Sequence, residues 1–321
     1  MIARLFALSI AVSATLPSAP TRADQLATTQ RIGVMPLANS TLTDALRQGL
    51  AELGYVEGQN LLIEWGRSAI TDEKLRSLAA DLARAKVDVI VAVGSPQARA
   101  AQQATSTPVV FISGDPIGAG FAASLARPGG NSTGLSLVTV ELNPKRLEFL
   151  QQVAPGARRI AYLMNSSNPL DAKALREAQQ AARALGVQLV KLDARSTSEL
   201  DVAVRGISRS TADALLASAD LSLLSNKAKI TQAARKAKLP AMFPWKEYHD
   251  EGALMTYGPD LKDAMRRLAL YVDKILRGAK PADLPIEQIS KYELVIDLHE
   301  AHAVGVDVPQ ALLLRADEVI Q

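Results

Sequence analysis

ValAspValIleValAlaValGlySer at residues 87–95 and AlaAspAlaLeuLeuAlaSerAlaAsp at 212–220 occupy matching places in this chain. Each is a short, nearly unbroken apolar run that ends in a small or polar residue. That is the pattern of a central parallel strand covered on both faces. Working outward, each run sits in the same series. ArgIleGlyValMetPro (31–36) predicts a strand, and Leu46, Leu50 and Leu53 share one face of the helix that follows, with Gly54 as its stop. A strand over 61–65, a helix marked by Leu75, Leu78 and Leu82, the run at 87–95, another helix and ThrProValValPheIleSerGlyAsp (107–115) complete the first set. From residue 159 the order recurs: ArgIleAlaTyrLeuMetAsn, a helix ending AlaLeuGly (184–186), ValGlnLeuValLysLeu, a helix, 212–220, a helix and LeuProAlaMetPhePro (239–244). Strands separated by helices of this length favour parallel sheets with right-handed crossovers. The expected fold class is therefore α/β, with two Rossmann-like lobes and a cleft between their facing loops.

The segments outside the two copies read as connections between lobes. The Gly-rich turn at 126–134 and the LeuSerLeuValThr after it are expected to make the first crossing. GlyAlaLeuMetThrTyrGlyPro (252–259) is expected to be a strand and the second. The extended segment Ile286 to Leu298 would be a third, and three crossings form a hinge. The domain reading is a signal peptide over 1–23, an N-terminal lobe of 31–135 plus 260–285, and a C-terminal lobe and hinge of 136–259 plus 286–321.

Bulk composition narrows the function classes. The chain has 321 residues, enough for two domains, with 48% apolar and 21% charged residues. Net charge is +3 with the signs interspersed, so no basic block tracks a phosphate backbone and nucleic acid is not an expected partner. Arg4, the apolar run from Leu5 to Leu16, and ThrArgAla before Asp24 read as an export signal. The run is shorter than the roughly 20 residues needed to span a bilayer. With no cysteine there is no disulfide, thiolate metal site, Cys nucleophile or lipidated cysteine at the cleavage point. The mature protein is expected to be periplasmic and monomeric.

Ligands in open parallel sheets bind outside the carboxyl ends of the strands, which selects six loops. The first lobe offers 37–43, 94–98 and 114–117; the second offers 165–171, 218–222 and 244–248. Within them the candidate ligand-binding residues are Asn39, Ser40, Ser95, Gln97, Asp115, Asn165, Asn168, Asp220 and Trp245, with Tyr257 nearby. Ser95 reads as an N-cap with Pro96 at the first helical position, and that helix N-terminus attracts a carboxylate. Asp115 is either an acceptor for an ammonium group or the residue that fixes its turn. AsnSerSerAsnPro (165–169) is dense in neutral donors and acceptors, and is equally an ordinary turn. Asp220 ends a buried strand and is expected to face the cleft. Aromatics are only 4% of the chain, so Trp245 and Tyr257 stand out as stacking surfaces. Phe243 is assigned to the core.

Catalytic signals are weak. HisGluAlaHis (299–302) lacks the HExxH spacing of a zinc site and reads as a solvated helix face. GlyAlaGlyPheAlaAla (118–123) follows an AspPro turn and reads as a closely packed helix start, not a pyrophosphate cradle. No GxSxG elbow or P-loop is present. Neither a cofactor nor a metal is expected.

AlaGluLeuGlyTyrValGluGlyGlnAsnLeu (51–61), LysValAspValIleValAla (86–92), SerLeuAlaArgProGlyGlyAsnSerThrGly (124–134), LysArgLeuGlu (145–148), GlyAlaLysProAlaAspLeuPro (278–285) and ArgAlaAspGluValIle (315–320) together resemble the ABC-transporter substrate-binding protein family that includes the TrpX-like aromatic amino-acid binders. The resemblance runs from about Arg31 to the end. It implies a type I periplasmic-binding fold with a three-stranded hinge, delivery of a small solute to an ABC permease in the inner membrane, and no catalysis. It further implies an aromatic or branched amino acid as ligand, with Ser95 for the carboxylate, Asp115 or Asp220 for the amine, and Trp245 or Tyr257 for the ring. The loop 165–169 matches the family only loosely, and 220–225 lacks a proline often found after the Asp. Two other classes remain: a ligand-sensing partner of a membrane receptor, and an exported enzyme on the same scaffold.

Overall fold

The computed structural model describes residues 29–35, 40–66, 72–120 and 122–321. The export-signal segment and Asn39 lie outside the described residues, as does the side chain of Ser40. Two sheets organise the chain. In the first, β1 (Gln30–Val34), β2 (Leu61–Trp65), β3 (Val89–Val93), β4 (Val109–Ser113), β5 (Ser132–Ser136) and β11 (Glu287–Gln288) lie in the order β2-β1-β3-β4-β5-β11. Every pairing in it is parallel. All five residues of β3 and of β4 are buried, the outcome expected for strands covered by helices on both sides. Between them run α1 (Ser40–Glu52), α2 (Asp72–Arg84) and α3 (Ser95–Ala104).

The second sheet repeats the plan with β6 (Arg159–Met164), β7 (Gln188–Asp193), β8 (Ala214–Ala217), β9 (Ala241–Phe243) and β10 (Met255–Gly258). It ends in β12 (Glu293–Asp297) and β13 (Glu318–Ile320), in the order β7-β6-β8-β9-β10-β12-β13. Only the β10–β12 pairing in it is antiparallel. Its helices are α4 (Asn143–Val153), α5 (Asp171–Ala184), α6 (Thr197–Arg205), α7 (Leu221–Leu224) and α8 (Lys227–Lys236). The chain then returns through α9 (Leu261–Leu276), followed by the C-terminal α10 (Leu298–Val304) and α11 (Gln310–Leu313). The α/β class with two parallel-sheet lobes is thus the observed one.

The helix α9 leaves the second sheet and packs against α1 of the first. Gly49 permits that approach: a Cβ there would lie 3.0 Å from both Ala269 Cβ and the Arg266 backbone. Asp260 starts α9 by accepting a 3.0 Å hydrogen bond from the Asp263 amide.

The chain passes between the sheets three times: after β5, between β10 and α9, and between β11 and β12. The first passage falls at the end of the segment expected to make it, within LeuSerLeuValThr (135–139). The Gly-rich turn leads into β5, which belongs to the first sheet, and the chain leaves only beyond Ser136. Gly134 makes this strand possible, because at φ 151° any Cβ would collide with the Phe111 backbone on β4. Two passages are tied together by Arg146, whose side chain is fully buried. Its Nε donates to the Tyr257 carbonyl at 2.8 Å and its Nη1 to the Thr139 carbonyl at 3.2 Å. Burial draws its pKa down to about 10.

Candidate functional site

A cavity of about 370 Å³ lies between the two sheets, at the carboxyl ends of their strands. From the first lobe, the ends of β3 and β4 contribute Ser95, Gln97, Ser113 and Gly114, and Leu42 comes from α1. From the second, the loop after β6 contributes Asn165, Asn168, Leu170 and Asp171. The end of β8 adds Asp220 and Ser222, and the loop after β9 adds Trp245. Leu137, Thr139, Val140 and Asn143, along the first passage between lobes, form a further wall.

The first-lobe polar wall depends on Gly94. Its φ of 116° and ψ of 146° suit glycine, so the chain turns there and α3 begins one residue earlier than the sequence reading has it. Gly94, not Ser95, is the N-cap, and it makes no side-chain capping bond. The Ser95 hydroxyl is thereby released from capping and lies 2.8 Å from the Ser113 hydroxyl on β4. Two buried hydroxyls thus stand beside the first turn of a helix, where Pro96 offers no amide hydrogen. A carboxylate at this place meets neutral donors and the positive end of the α3 dipole.

The second-lobe wall is acidic. Asp220 caps α7, accepting hydrogen bonds from the Ser222 amide at 2.9 Å and from the Ser222 hydroxyl. Asn168 Nδ2 donates to its other oxygen at 2.7 Å, and Asn165 Nδ2 lies 3.5 Å away. Asp171, at the start of α5, accepts from the Asn165 amide at 2.7 Å and the Ser218 hydroxyl at 3.1 Å, both on Oδ2. The Asn165–Asn168 loop is itself pinned from β7, where Asp193 accepts from the Ser166 amide and hydroxyl at 2.9 and 2.6 Å. Burial, followed by the charge of Asp220, pushes Asp171 well above the ordinary carboxylate range. Trp245, 2% exposed, is the aromatic residue of the lining, whose apolar members include Leu42, Val140 and Leu170.

Of the expected residues, the fold brings together Ser95, Gln97, Asn165, Asn168, Asp220 and Trp245. Asp115 and Tyr257 are not on the cavity wall. Asp115 accepts a 2.8 Å bond from Lys173 Nζ on the opposite lobe and a 2.8 Å bond from the Gly118 amide. Burial alone would raise its pKa, but Lys173 and the amide hold it below the usual value. Tyr257 is half-buried and meets Phe149 edge to face at 5.1 Å. Ser40 opens α1. Residues 116–120 form a turn, not the expected helix start, because Asp115 ties its own turn at Gly118. His299 and His302 are exposed on α10, and Phe243 is fully buried, stacked on Tyr248 at 4.4 Å.

Ser113, Thr139, Asn143 and Asp171 line the cavity without standing out in the sequence. Asp171 is the last residue of the selected loop 165–171, and Ser113 precedes the selected Gly114, so the strand-end rule reaches both within one residue. Thr139 and Asn143 belong to a passage between lobes, where that rule is silent.

The family model for ABC transporter substrate-binding proteins matches residues 37–320. The chain belongs to this family. A tyrosine-binding protein of Clostridioides difficile (strain R20291) is 24% identical over 275 residues, covering 84% of this chain and 79% of the relative. Among solved structures, a conserved domain protein from Vibrio cholerae superimposes with a TM-score of 0.83 at 28% identity, over 91% of this chain and all of that one. An ABC domain from Streptococcus pneumonia, solved with L-Trp, gives 0.81 at 26% identity with the same coverage. Members with this architecture share the type I periplasmic-binding fold. No helix among the described residues is long and apolar enough to cross a membrane.

Proposed function

We propose that this protein is the extracytoplasmic solute receptor of an ABC importer. It binds one amino acid with an aromatic or branched side chain between its lobes and presents it to an inner-membrane permease. The observation that carries this reading is an interlobe cavity with three distinct walls. A helix start with two hydroxyls suits a carboxylate, a buried Asp220 suits an ammonium group, and Trp245 with the aliphatic residues of the lining suits the side chain. Tyrosine and L-Trp, the ligands of two relatives, have this three-part chemistry. The reading as a binding protein and not an enzyme follows from the family to which the chain belongs. The deciding experiment is a thermal-shift and calorimetric screen of the mature protein against aromatic, branched and polar amino acids. Saturable binding of L-Trp, L-Tyr or a branched amino acid is expected; silence across the whole panel overturns the amino-acid assignment.

A further inference from the structure

The chain enters its first passage between the sheets through a residue that its backbone does not suit. Val138 has φ 53°, in the left-handed region that a β-branched side chain rarely occupies. It is pinned on both sides. The Leu137 amide donates to the Ser113 carbonyl at 2.8 Å, and the Thr139 carbonyl accepts from Arg146 Nη1 at 3.2 Å. Strain of this kind persists only where the surroundings over-determine it. Beyond the turn, Thr139 lies on the cavity wall, and its hydroxyl makes no hydrogen bond with a described residue. Gly114, just past β4, leaves the space, because a Cβ there would collide with that hydroxyl.

Arg146 holds this arrangement from outside the cavity. It is fully buried on α4, yet the acceptors it meets are neutral: the Thr139 and Tyr257 carbonyls and, at 3.1 Å, Asn143 Oδ1. Of the described residues only the phenols of Tyr162 and Tyr257 favour its charge, and its Nη2 has no partner among them. A buried cation without a carboxylate is poorly compensated. What the planar guanidinium provides is a fixed geometry across its acceptors. Thr139 and Asn143 both line the cavity. With Oδ1 toward Arg146, the Asn143 amide donates to the Tyr162 hydroxyl and the Ala174 carbonyl, both at 3.2 Å. Asn143 is thus spent on the scaffold, and the Thr139 hydroxyl stays available.

We propose that Arg146 is a positioning residue of the solute cavity: it clamps the strained Val138–Thr139 turn, so that the Thr139 hydroxyl is presented to the solute. This rests on the reading of the cavity as the solute site. It adds Thr139 to that site as a group that can donate to or accept from a polar atom of the solute.

The test compares wild type, Arg146→Lys, Val138→Gly, their double variant and Thr139→Val, titrating each mature protein calorimetrically with L-Tyr and L-Trp. Lysine keeps the charge but lacks the fork, so Arg146→Lys is expected to weaken binding about ten-fold. Thr139→Val, which removes the hydroxyl, is expected to cause a loss of about the same size. Glycine adopts the left-handed turn unaided. In the Val138→Gly background, Arg146→Lys is therefore expected to weaken binding no more than about three-fold. A merely structural arginine would show the same loss in both backgrounds, and that result overturns the proposal. Unchanged affinity in Arg146→Lys or in Thr139→Val overturns it too. Should Arg146→Lys fail to fold, recovery of folding in the double variant supports the clamp and continued failure overturns it. Silence of every form toward both amino acids removes the amino-acid reading alone, and the melting temperatures then decide the clamp. Arg146→Lys is expected to lower them less in the Val138→Gly background, and an equal loss in both overturns it.

Discussion

At Ser95 one backbone torsion decides what a side chain is free to do. Were Ser95 the N-cap, its hydroxyl would be spent on an amide of its own helix. With Gly94 in that place, the hydroxyl pairs with Ser113 on the cavity wall instead. Ser95→Ala is therefore expected to leave the melting temperature nearly unchanged and to weaken binding of a carboxylate-bearing amino acid about ten-fold, the worth of one or two hydrogen bonds. Calorimetric titration of L-Trp into the two proteins checks this, and equal affinities would remove Ser95 from the site. Asp115 shows the complementary case. The sequence leaves it as a ligand acceptor or a turn residue, and it fixes its turn at Gly118 while pairing with a lysine 58 positions away.

At the scale of elements, α9 carries information that its own residues do not display. Its apolar face is readable from the sequence, but its partner is not, because it packs on a helix more than two hundred residues earlier. The contact with α1 is close enough that even a Cβ at Gly49 would lie 3.0 Å from Ala269 Cβ and the Arg266 backbone. Gly49→Leu is expected to cost about 2 kcal/mol by overpacking, despite the better helix propensity of leucine. Thermal or urea denaturation measures that loss, and a gain in stability would show that the two helices part without cost. The same reasoning applies to β5. The Gly-rich stretch before it reads as a linker, yet its last glycine, Gly134, lies inside a paired strand because the Phe111 backbone approaches too closely for any Cβ.

For the whole molecule, the question is what balances the two lobes. Lys173 spans the cleft mouth to Asp115 while also holding Glu141 beside the first passage. Its side chain is 37% exposed, so screening keeps the contribution near the upper end of surface pairs, about 1 kcal/mol. Lys173→Met is expected to lower ligand affinity up to about five-fold through faster release, with little change in association rate. Stopped-flow fluorescence with L-Trp separates the two rates, and a change confined to association would contradict a closing contact.

The sequence by itself determined the two βα series, the strand ends and hence most of the loops that line the interlobe cavity. Buried strands and amphipathic helices are local patterns, written in residues that are neighbours along the chain. Six of the ten expected site residues line one cavity for that reason. Only the tertiary structure decided that Asp171 and Asp220 share a wall without a cation, that Ser95 meets Ser113, and that Asp115 belongs to a bridge between lobes. Those facts are distances between residues far apart in sequence. They set the electrostatics of the cleft, because the energy of a buried charge depends on which groups surround it in space.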